Sequence, residues 1–258
     1  MNITFIGAGN VAWHLAQALH AAGHTITAIY SRNAAQRDAL AGKVAAAAIV
    51  SLDLREEVAE VVLIAVPDAA LAAVAAEIKV KSGTVVAHTS GSQPLAILAA
   101  VAGAKAGVFY PLQTFSKAKA VDFAQVPLLL EAKDAEALES LQALAQSISK
   151  TVETVDSEAR KQLHLAAVFA CNFTNHLLGI SQQLLEQAGL PIALLRPLLQ
   201  ETIAKAMQQH PFTVQTGPAI RHDDNVIQAH LHMLQQQPRW QDLYRLLTQS
   251  IQDSGNQA

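Results

Sequence analysis

The stretch that decides the fold is ITFIGAGNVA, residues 3–12. Its first four residues are apolar or β-branched, as in a short buried strand, and a glycine-rich turn follows them directly. The turn has the form G-x-G-x-x-A and opens a helix-like segment, residues 10–22. In that setting the first glycine permits a tight turn, the second leaves no Cβ beside a bound phosphate, and the alanine lets the helix pack closely on the strand. The N-terminus of the helix offers free N–H groups to the phosphates of a dinucleotide; the alternative is a glycine turn with a structural role only. The predicted binding residues are Gly7, Ala8, Gly9, Asn10 and Val11.

Outward from this turn, strand-like and helix-like segments alternate up to about residue 155. The strand-like segments are residues 3–6, 25–30, 45–50, 61–66, 84–87, 106–109 and 126–130. This alternation predicts βαβ units with right-handed crossovers, and therefore an α/β fold with a Rossmann-type, mostly parallel sheet. From about residue 157 long helical segments follow, at residues 157–187, 191–209, 224–236 and 239–251. We expect a dinucleotide-binding domain over residues 1–155 and an all-α substrate or dimerisation domain over residues 156–258.

The residues after the second strand indicate which dinucleotide is bound. Chains that bind NAD usually carry a carboxylate about 20 residues after the glycine turn, where it bonds the ribose hydroxyls. This chain instead has Ser31, Arg32 and Asn33. The guanidinium of Arg32 suits a 2′-phosphate, and its two neighbours are able to donate hydrogen bonds to that group. The pattern favours NADP (NADPH) over NAD; the alternative is that Arg32 is a solvated residue at the start of a helix.

Three loops follow the inner strands at the edge of the sheet where ligands of such folds bind. Their polar residues have two interpretations, because serine, threonine and glycine also favour turns for local hydrogen-bonding reasons. The predicted residues are Val66, Pro67, His88 and Ser90 beside the cofactor, and Tyr110, Gln113 and Thr114 in a substrate pocket.

A polar stripe marks the long helical segment that starts near residue 157. At 100° per residue, Lys161, His164, Asn172 and Asn175 fall within an arc of about 80° on an otherwise apolar helix. Polar groups buried in a helix are costly unless paired, so the stripe either faces the cofactor cleft as catalytic residues, or forms a satisfied network or faces water. His164 is a candidate general acid or base, because an ordinary imidazole titrates near neutral pH. Lys161 could do the same if it were buried.

Composition excludes several classes of protein. With 51% hydrophobic and 15% charged residues, the 258-residue chain is able to build a sizeable core. The net charge of −3 and the lack of a basic, aromatic-rich stripe argue against nucleic acid as a partner. A single cysteine, Cys171, permits no internal disulfide and fits the cytoplasm. We expect no signal peptide, no membrane-spanning helix and no metal site.

The glycine turn together with Ser31, Arg32 and Asn33 resembles the N-terminal domain of pyrroline-5-carboxylate reductase, prephenate dehydrogenase, 6-phosphogluconate dehydrogenase and deazaflavin-dependent NADP oxidoreductases. A closer resemblance is to a family of NADP oxidoreductases, assigned by inference, that join a Rossmann-like domain to a helical C-terminal domain of unknown function. The matching segments are HTSG (88–91), FYPLQTF (109–115), HLAAVF (164–169), NFTNHL (172–177) and GPA (217–219). The resemblance implies NADP binding and a homodimer formed through the C-terminal helices, but no particular substrate. The 3-hydroxyacid dehydrogenase relatives place a lysine and an asparagine four residues apart; here Leu165 stands four residues after Lys161, so their catalytic assignment does not transfer.

Two hypotheses about function follow. The first is an NADP-dependent oxidoreductase acting on a small carbonyl, imine or hydroxy compound, in which the polar stripe orients the substrate and manages the proton. The second is a non-catalytic NADP-binding sensor or regulatory protein. Both need the glycine turn, and only the first needs the stripe.

Overall fold

The computed structural model of the protein describes residues 1–255. The chain divides into two compact units, the first over Met1–Cys171 and the second from Asn172 onward. The first unit contains an eight-stranded sheet, and the second is helical. The architecture is therefore α/β, a Rossmann-type sheet followed by a helical region, as the sequence predicts.

The sheet has the strand order typical of dinucleotide-binding folds. Its strands are β1 (Asn2–Ile6), β2 (Thr25–Tyr30), β3 (Ala47–Ile49), β4 (Val61–Ile64), β5 (Val85–His88), β6 (Lys105–Pro111), β7 (Leu128–Ala132) and β8 (Val152–Thr154). They are arranged in the order β3-β2-β1-β4-β5-β6-β7-β8. Neighbours pair in parallel except β6 and β7, which pair antiparallel. The carboxyl ends of β1 to β6 consequently meet at one edge, where the glycine turn and the predicted loops lie.

Apolar layers cover both faces of the sheet. The helices of this unit are α1 (Asn10–Ala21), α2 (Ala34–Lys43), α3 (Asp68–Glu77), α4 (Ala135–Gln146) and α5 (Ser157–Ala167), and 3₁₀ turns cover Leu95–Ala100 and Phe123–Gln125. In β4, Val61 and Leu63 belong to one core cluster, whereas Val62 and Ile64 belong to the other. A strand buried on both faces has no polar side to show, which explains its continuous apolar sequence.

Two elements were not predicted from the sequence. Helix α4 begins after Asp134, whose carboxylate accepts a hydrogen bond from the Ala137 N–H at 2.9 Å, and it buries Leu141 and Leu144. Strand β8 pairs in parallel with β7. Strand β8 adds an eighth strand to the seven that were predicted, and α4 connects it to β7.

The long helix at residues 157–187 contains a change of helical type. Helix α5 passes into a π-helical segment, Val168–Phe173, and then into α6 (Thr174–Gln187). A π turn holds more residues than an α turn, so a spacing of 100° per residue does not hold across this segment. The predicted stripe, which assumed an unbroken α-helix, is therefore not a continuous feature. The last strand ends at Thr154, and the division between compact units falls at Cys171, inside this helix.

The second unit also contains α7 (Arg196–Gln208), α8 (Asp224–Met233) and α9 (Pro238–Gly255). Helix α9 packs on α8, where Tyr244 Oη and His230 Nδ1 lie 2.9 Å apart. Few apolar side chains are buried: within the described part of this unit they are Ala219, Ile227, Leu231 and Leu234.

One helix departs from the expectation about membranes. By length and composition alone, Ser157–Gln187 is able to cross a bilayer, and none of its most apolar window is buried. A single helix of this kind is weak support for a membrane protein, because core helices of soluble proteins pass the same test.

Candidate functional site

The glycine turn is built as its sequence requires. Gly7 has φ +116°, and a Cβ there would lie 2.2 Å from the Ala65 carbonyl oxygen, so only glycine fits. Its N–H donates to the Tyr30 carbonyl at 2.7 Å, which joins the turn to the end of β2. Gly9 differs, because a Cβ there would meet no atom within 4 Å. The protein's own packing does not demand glycine at that position, so the free space is available to a ligand.

An open groove of about 690 Å³ begins at this turn. It runs along the carboxyl ends of β1, β2 and β4, the first turn of α2 and the length of α3 as far as Glu77. A groove of this size suits a cofactor. Among the predicted cofactor residues it is lined by Gly7, Ala8, Gly9, Ser31, Arg32, Asn33, Val66 and Pro67. Lining residues that sequence reasoning missed are Tyr30, Gln36, Leu52, Ala65, Ala69, Ala70, Ala73, Val74 and Glu77.

Arg32 is the cation of the groove. Its side chain is exposed, and within residues 1–255 no carboxylate lies within ion-pair distance of it. The neighbouring side chains are partly used by the turn itself. Ser31 Oγ accepts a hydrogen bond from the Asn33 N–H at 3.2 Å, and Asn33 Oδ1 caps α2 by accepting from the Gln36 N–H at 3.0 Å. Arg32 is thus held at the groove with its guanidinium free for an anion.

Asn10 and Val11 occupy the first turn of α1. The Asn10 side chain donates a hydrogen bond to the Phe115 carbonyl at 3.0 Å. The predicted role of Asn10 toward a phosphate therefore falls to its backbone, while its side chain fixes the loop after β6. Val11 is partly buried against the core.

The loop after β5 is organised from within. His88 has no exposed surface, and its Nδ1 accepts a hydrogen bond from the Ser90 N–H at 3.1 Å. Burial and the positive charge of Arg160 lower the pKa of His88 to about 4. Ser90 Oγ accepts from the N–H groups of Ser92 and Gln93 at 3.2 and 3.1 Å. Both predicted residues therefore shape the loop through hydrogen bonds within it.

A buried ion pair, which sequence reasoning missed, fixes α5 against this loop. Arg160 is fully buried, and its Nη1 pairs with the carboxylate of Glu131 on β7. Its Nη2 donates to the Gln93 carbonyl at 2.7 Å. The Ser157 hydroxyl also donates to Glu131, at 2.8 Å, and accepts from the Leu95 N–H at 3.0 Å. The ion pair and these hydrogen bonds thus join β7, the loop after β5 and α5.

The side chains of Tyr110 and His164 lie within hydrogen-bonding distance of each other at the carboxyl edge of the sheet. Tyr110 Oη, near the end of β6, lies 3.3 Å from His164 Nδ1 on α5, and the rings meet edge to face with centroids 6.2 Å apart. Both side chains are half-buried, and burial raises the pKa of Tyr110. A Cβ on Gly91 would come within 2.7 Å of both rings, so the loop after β5 needs glycine for the pair to form. The groove wall follows β4 and Tyr110 lies on β6, with β5 between them. Two strand spacings therefore separate the pair from the groove wall, a distance of roughly 10 Å along the sheet edge.

The remaining predicted residues of the first unit are not brought to this pair. Gln113 and Thr114 are exposed, hydrogen-bond to each other and line a separate hollow of about 380 Å³. Lys161 is half-exposed and pairs with Glu158 at 2.7 Å. Asn172 and Asn175 belong to the second unit and are exposed. Their catalytic roles stay predictions.

These residues fit a dinucleotide by three independent features. The space beside Gly9 admits a phosphate, the N-terminus of α1 supplies N–H donors, and Arg32 provides an unpaired cation at the far end of the groove. The groove lacks a carboxylate at the end of β2, where Tyr30, Ser31 and Arg32 stand. The donor set matches a ligand with a second anionic group near its ribose.

Comparisons with known proteins agree with this architecture. A family model described as a Rossmann-like domain matches residues 1–112, and one described as a domain of unknown function (DUF2520) matches residues 126–251. No curated protein matches the chain significantly.

Solved structures give a more specific likeness. A proposed NADP oxidoreductase from Bacteroides fragilis is 41% identical, with 98% of each chain covered and a TM-score of 0.87. A protein from Thermotoga maritima is 24% identical over 99% of this chain and 98% of its own, with a TM-score of 0.70. A reductive aminase from Aspergillus terreus, solved with NADPH and ethyl-5-oxohexanoate, is 16% identical over 100% of this chain and 94% of its own (TM-score 0.73). The last two show a shared fold only. The chain belongs to the family in which a Rossmann-like domain is followed by a DUF2520 domain.

Proposed function

We propose that the protein is an NADP-dependent oxidoreductase that transfers a hydride to or from a small carbonyl, imine or hydroxy compound. The observation that carries the proposal is the groove, in which the open face of Gly9 and the unpaired Arg32 stand where a pyrophosphate and a 2′-phosphate would lie. The Bacteroides fragilis relative is described as an NADP oxidoreductase, and the Aspergillus terreus reductive aminase binds NADPH, which supports the proposal.

The nicotinamide of the bound cofactor would supply or accept the hydride. Tyr110 and His164 would handle the accompanying proton. Because burial raises the pKa of Tyr110, its hydroxyl stays protonated at neutral pH and is able to donate to a developing alkoxide or amine. His164, within hydrogen-bonding distance of that hydroxyl, would return the proton to it from solvent. We assign His88 and Ser90 to holding the loop that carries Gly91 beneath this pair.

Calorimetric titration with NADPH, NADP, NADH and NAD tests the cofactor assignment. We expect the two phosphorylated dinucleotides to bind more tightly than the other two. Failure of all four to bind would refute the oxidoreductase assignment. Tight binding of NADPH without turnover across a broad panel of carbonyl and imine compounds would instead support the non-catalytic sensor.

The substitution Arg32→Ala tests the preference for the phosphate. Losing a charge-assisted hydrogen bond to a phosphate costs about 1.5–3 kcal/mol, so NADPH binding should weaken roughly 10- to 150-fold while NADH binding stays the same. Arg55→Ala is the matched control, since Arg55 is an exposed arginine that pairs with Asp53. Equal losses for NADPH and NADH would contradict the role of Arg32.

We also propose that two copies of the chain associate through the C-terminal helices. Large apolar side chains of the second unit are exposed, among them Leu198, Ile203 and Met207 on α7, the last at 81%. With so few of its apolar residues buried, this unit lacks the core that a helical domain of its length needs, and exposed apolar surface on this scale marks an interface. A second copy offers the same apolar helices and is the simplest partner. We also propose that the protein is cytoplasmic, because its single cysteine, Cys171, permits no disulfide within the chain.

Sedimentation at micromolar concentration tests this association. We expect a species of twice the chain mass of 27.4 kDa. A monomer that stays in solution without detergent would contradict the dimer. Recovery only with detergent or lipid vesicles would point to a membrane as the cover for the apolar helices.

A further inference from the structure

A short strap, defined as residues 115–117, lies across the first turns of α1 beside the glycine turn. Asn10 and His14 donate side-chain hydrogen bonds to two successive carbonyls of the strap, those of Phe115 and Ser116, at 3.0 and 2.9 Å. The Phe115 ring stacks on His14 with a centroid distance of 5.7 Å. The strap is therefore fixed to the helix whose N-terminus faces the groove.

The strap places the ammonium group of Lys117 beside the glycine turn. Lys117 Nζ donates a hydrogen bond to the carbonyl of Ala8, the residue between Gly7 and Gly9, at 3.1 Å. The same nitrogen lies 4.8 Å from the centroid of the Trp13 ring. A neutral carbonyl and an aromatic face orient the cation without neutralising it.

Lys117 has the charge and the surroundings of an anion-binding residue. The side chain is exposed, and in the described part of the chain no carboxylate lies within ion-pair distance of it. Because its Nζ lies at the Ala8 carbonyl, two residues before α1, its charge adds to the positive end of the α1 dipole. At the next residue, Gly9, a Cβ would meet no atom within 4 Å, so there is open space beside this turn. A cation and a helix N-terminus that converge on open space suit a phosphate group.

We propose that Lys117 binds the pyrophosphate of the dinucleotide, with the strap as its support. This inference rests on the proposed NADP function and adds a residue that lies more than 100 positions along the chain from the glycine turn. Lys117 acts at the pyrophosphate and Arg32 at the 2′-phosphate. Both charges therefore affect NADPH, but only Lys117 should affect NADH and ADP-ribose, and only Arg32 should affect adenosine 2′-monophosphate.

Calorimetric titration of Lys117→Met against four ligands tests the proposal. NADPH, NADH and ADP-ribose all carry a pyrophosphate, whereas adenosine 2′-monophosphate does not. We expect Lys117→Met to weaken the first three by a similar factor, roughly 5- to 10-fold, and to leave the fourth unchanged. Lys119→Met, which changes another exposed lysine of the same loop, is the matched control and should bind all four like the wild type.

Two further measurements separate charge from structure. Lys117→Arg should restore most of the affinity, and raising the salt concentration should weaken NADH binding less in Lys117→Met than in the wild type. Unchanged affinity of Lys117→Met for NADPH and NADH would overturn the proposal, as would an equal loss for adenosine 2′-monophosphate. If the wild type bound none of the dinucleotides, the proposed function itself would fail and this inference with it.

Discussion

Acidification should unfold this protein in part through one residue, the buried His88. Burial lowers its pKa most, and the charge of Arg160 adds to this effect. The Pro94 carbonyl and the carboxylates of Glu131 and Asp68 raise the pKa, and the result is a value of about 4. In the unfolded chain the same imidazole titrates near pH 6.5. Between these two values the unfolded state binds more protons than the folded state.

The sign and size of the effect follow from that difference. Stability contributed by neutral His88 is fully present above pH 6.5 and is lost as the pH falls toward 4. With 1.36 kcal/mol for each pKa unit, the loss relative to pH 7 is about 2 kcal/mol at pH 5 and roughly 3 kcal/mol at pH 4.

Urea unfolding at pH 7, 6 and 5 measures this loss. We compare the wild type with His88→Asn, whose amide oxygen is able to accept the Ser90 N–H as Nδ1 does. Carboxylates contribute to acid unfolding in every variant, so the difference between variants isolates His88. The wild type should lose about 2 kcal/mol more than His88→Asn between pH 7 and pH 5. His20→Asn, which removes an exposed histidine, should follow the wild type. Parallel pH dependence of wild type and His88→Asn would refute the argument.

Two further substitutions test the Tyr110–His164 pair and its support. In Gly91→Ala the new methyl group should push these two side chains apart and lower the turnover of any substrate found by roughly 10- to 100-fold, while the affinity for NADPH stays the same. Gly42→Ala is the control, because a Cβ at this position of α2 would meet no atom within 4 Å. Equal turnover by both variants would contradict the role of the Tyr110–His164 pair. In Arg160→Met the carboxylate of Glu131 loses its buried partner, so the free energy of unfolding should fall by about 3 kcal/mol. Adding Glu131→Leu to this variant should recover part of that loss. A loss below about 1 kcal/mol in urea unfolding would show that the ion pair is not needed for stability.

Local sequence patterns predicted the part of the fold that forms the groove. Strand β1, the turn and α1 follow from an apolar run, a glycine spacing and a helical period within about 20 residues. Strand β4 is similarly evident, because a strand buried on both faces has an unbroken apolar sequence. Each of these signals is local, and each one specifies its element without reference to the rest of the chain.

The features that the sequence did not predict depend on distant residues or on subtle periodicity. Helix α4 has a sequence signal, a capping aspartate at 134 followed by an apolar period that includes Leu141 and Leu144. Because this period follows β7 almost directly, the apolar pattern does not show where the strand ends and the helix begins. The π segment at residues 168–173 has a mostly apolar composition like that of the α-helical residues beside it, so its sequence does not mark the change of helical type. Contacts such as Lys117 with Ala8, or Arg160 with Glu131, join residues far apart in sequence. No spacing rule connects such positions.

The buried ion pair is better explained by positioning than by stability. A charged pair in the interior gains little over an apolar pair of equal volume, since desolvation offsets most of the attraction. Arg160 even leaves its Nε without a hydrogen-bond partner among the described residues, which adds to the cost. An apolar pair, however, could not hold the Gln93 carbonyl and the Ser157 hydroxyl in place. Those two contacts fix the loop beneath the Tyr110–His164 pair, so the ion pair is best explained by the position it gives to the two side chains that we propose to handle the proton.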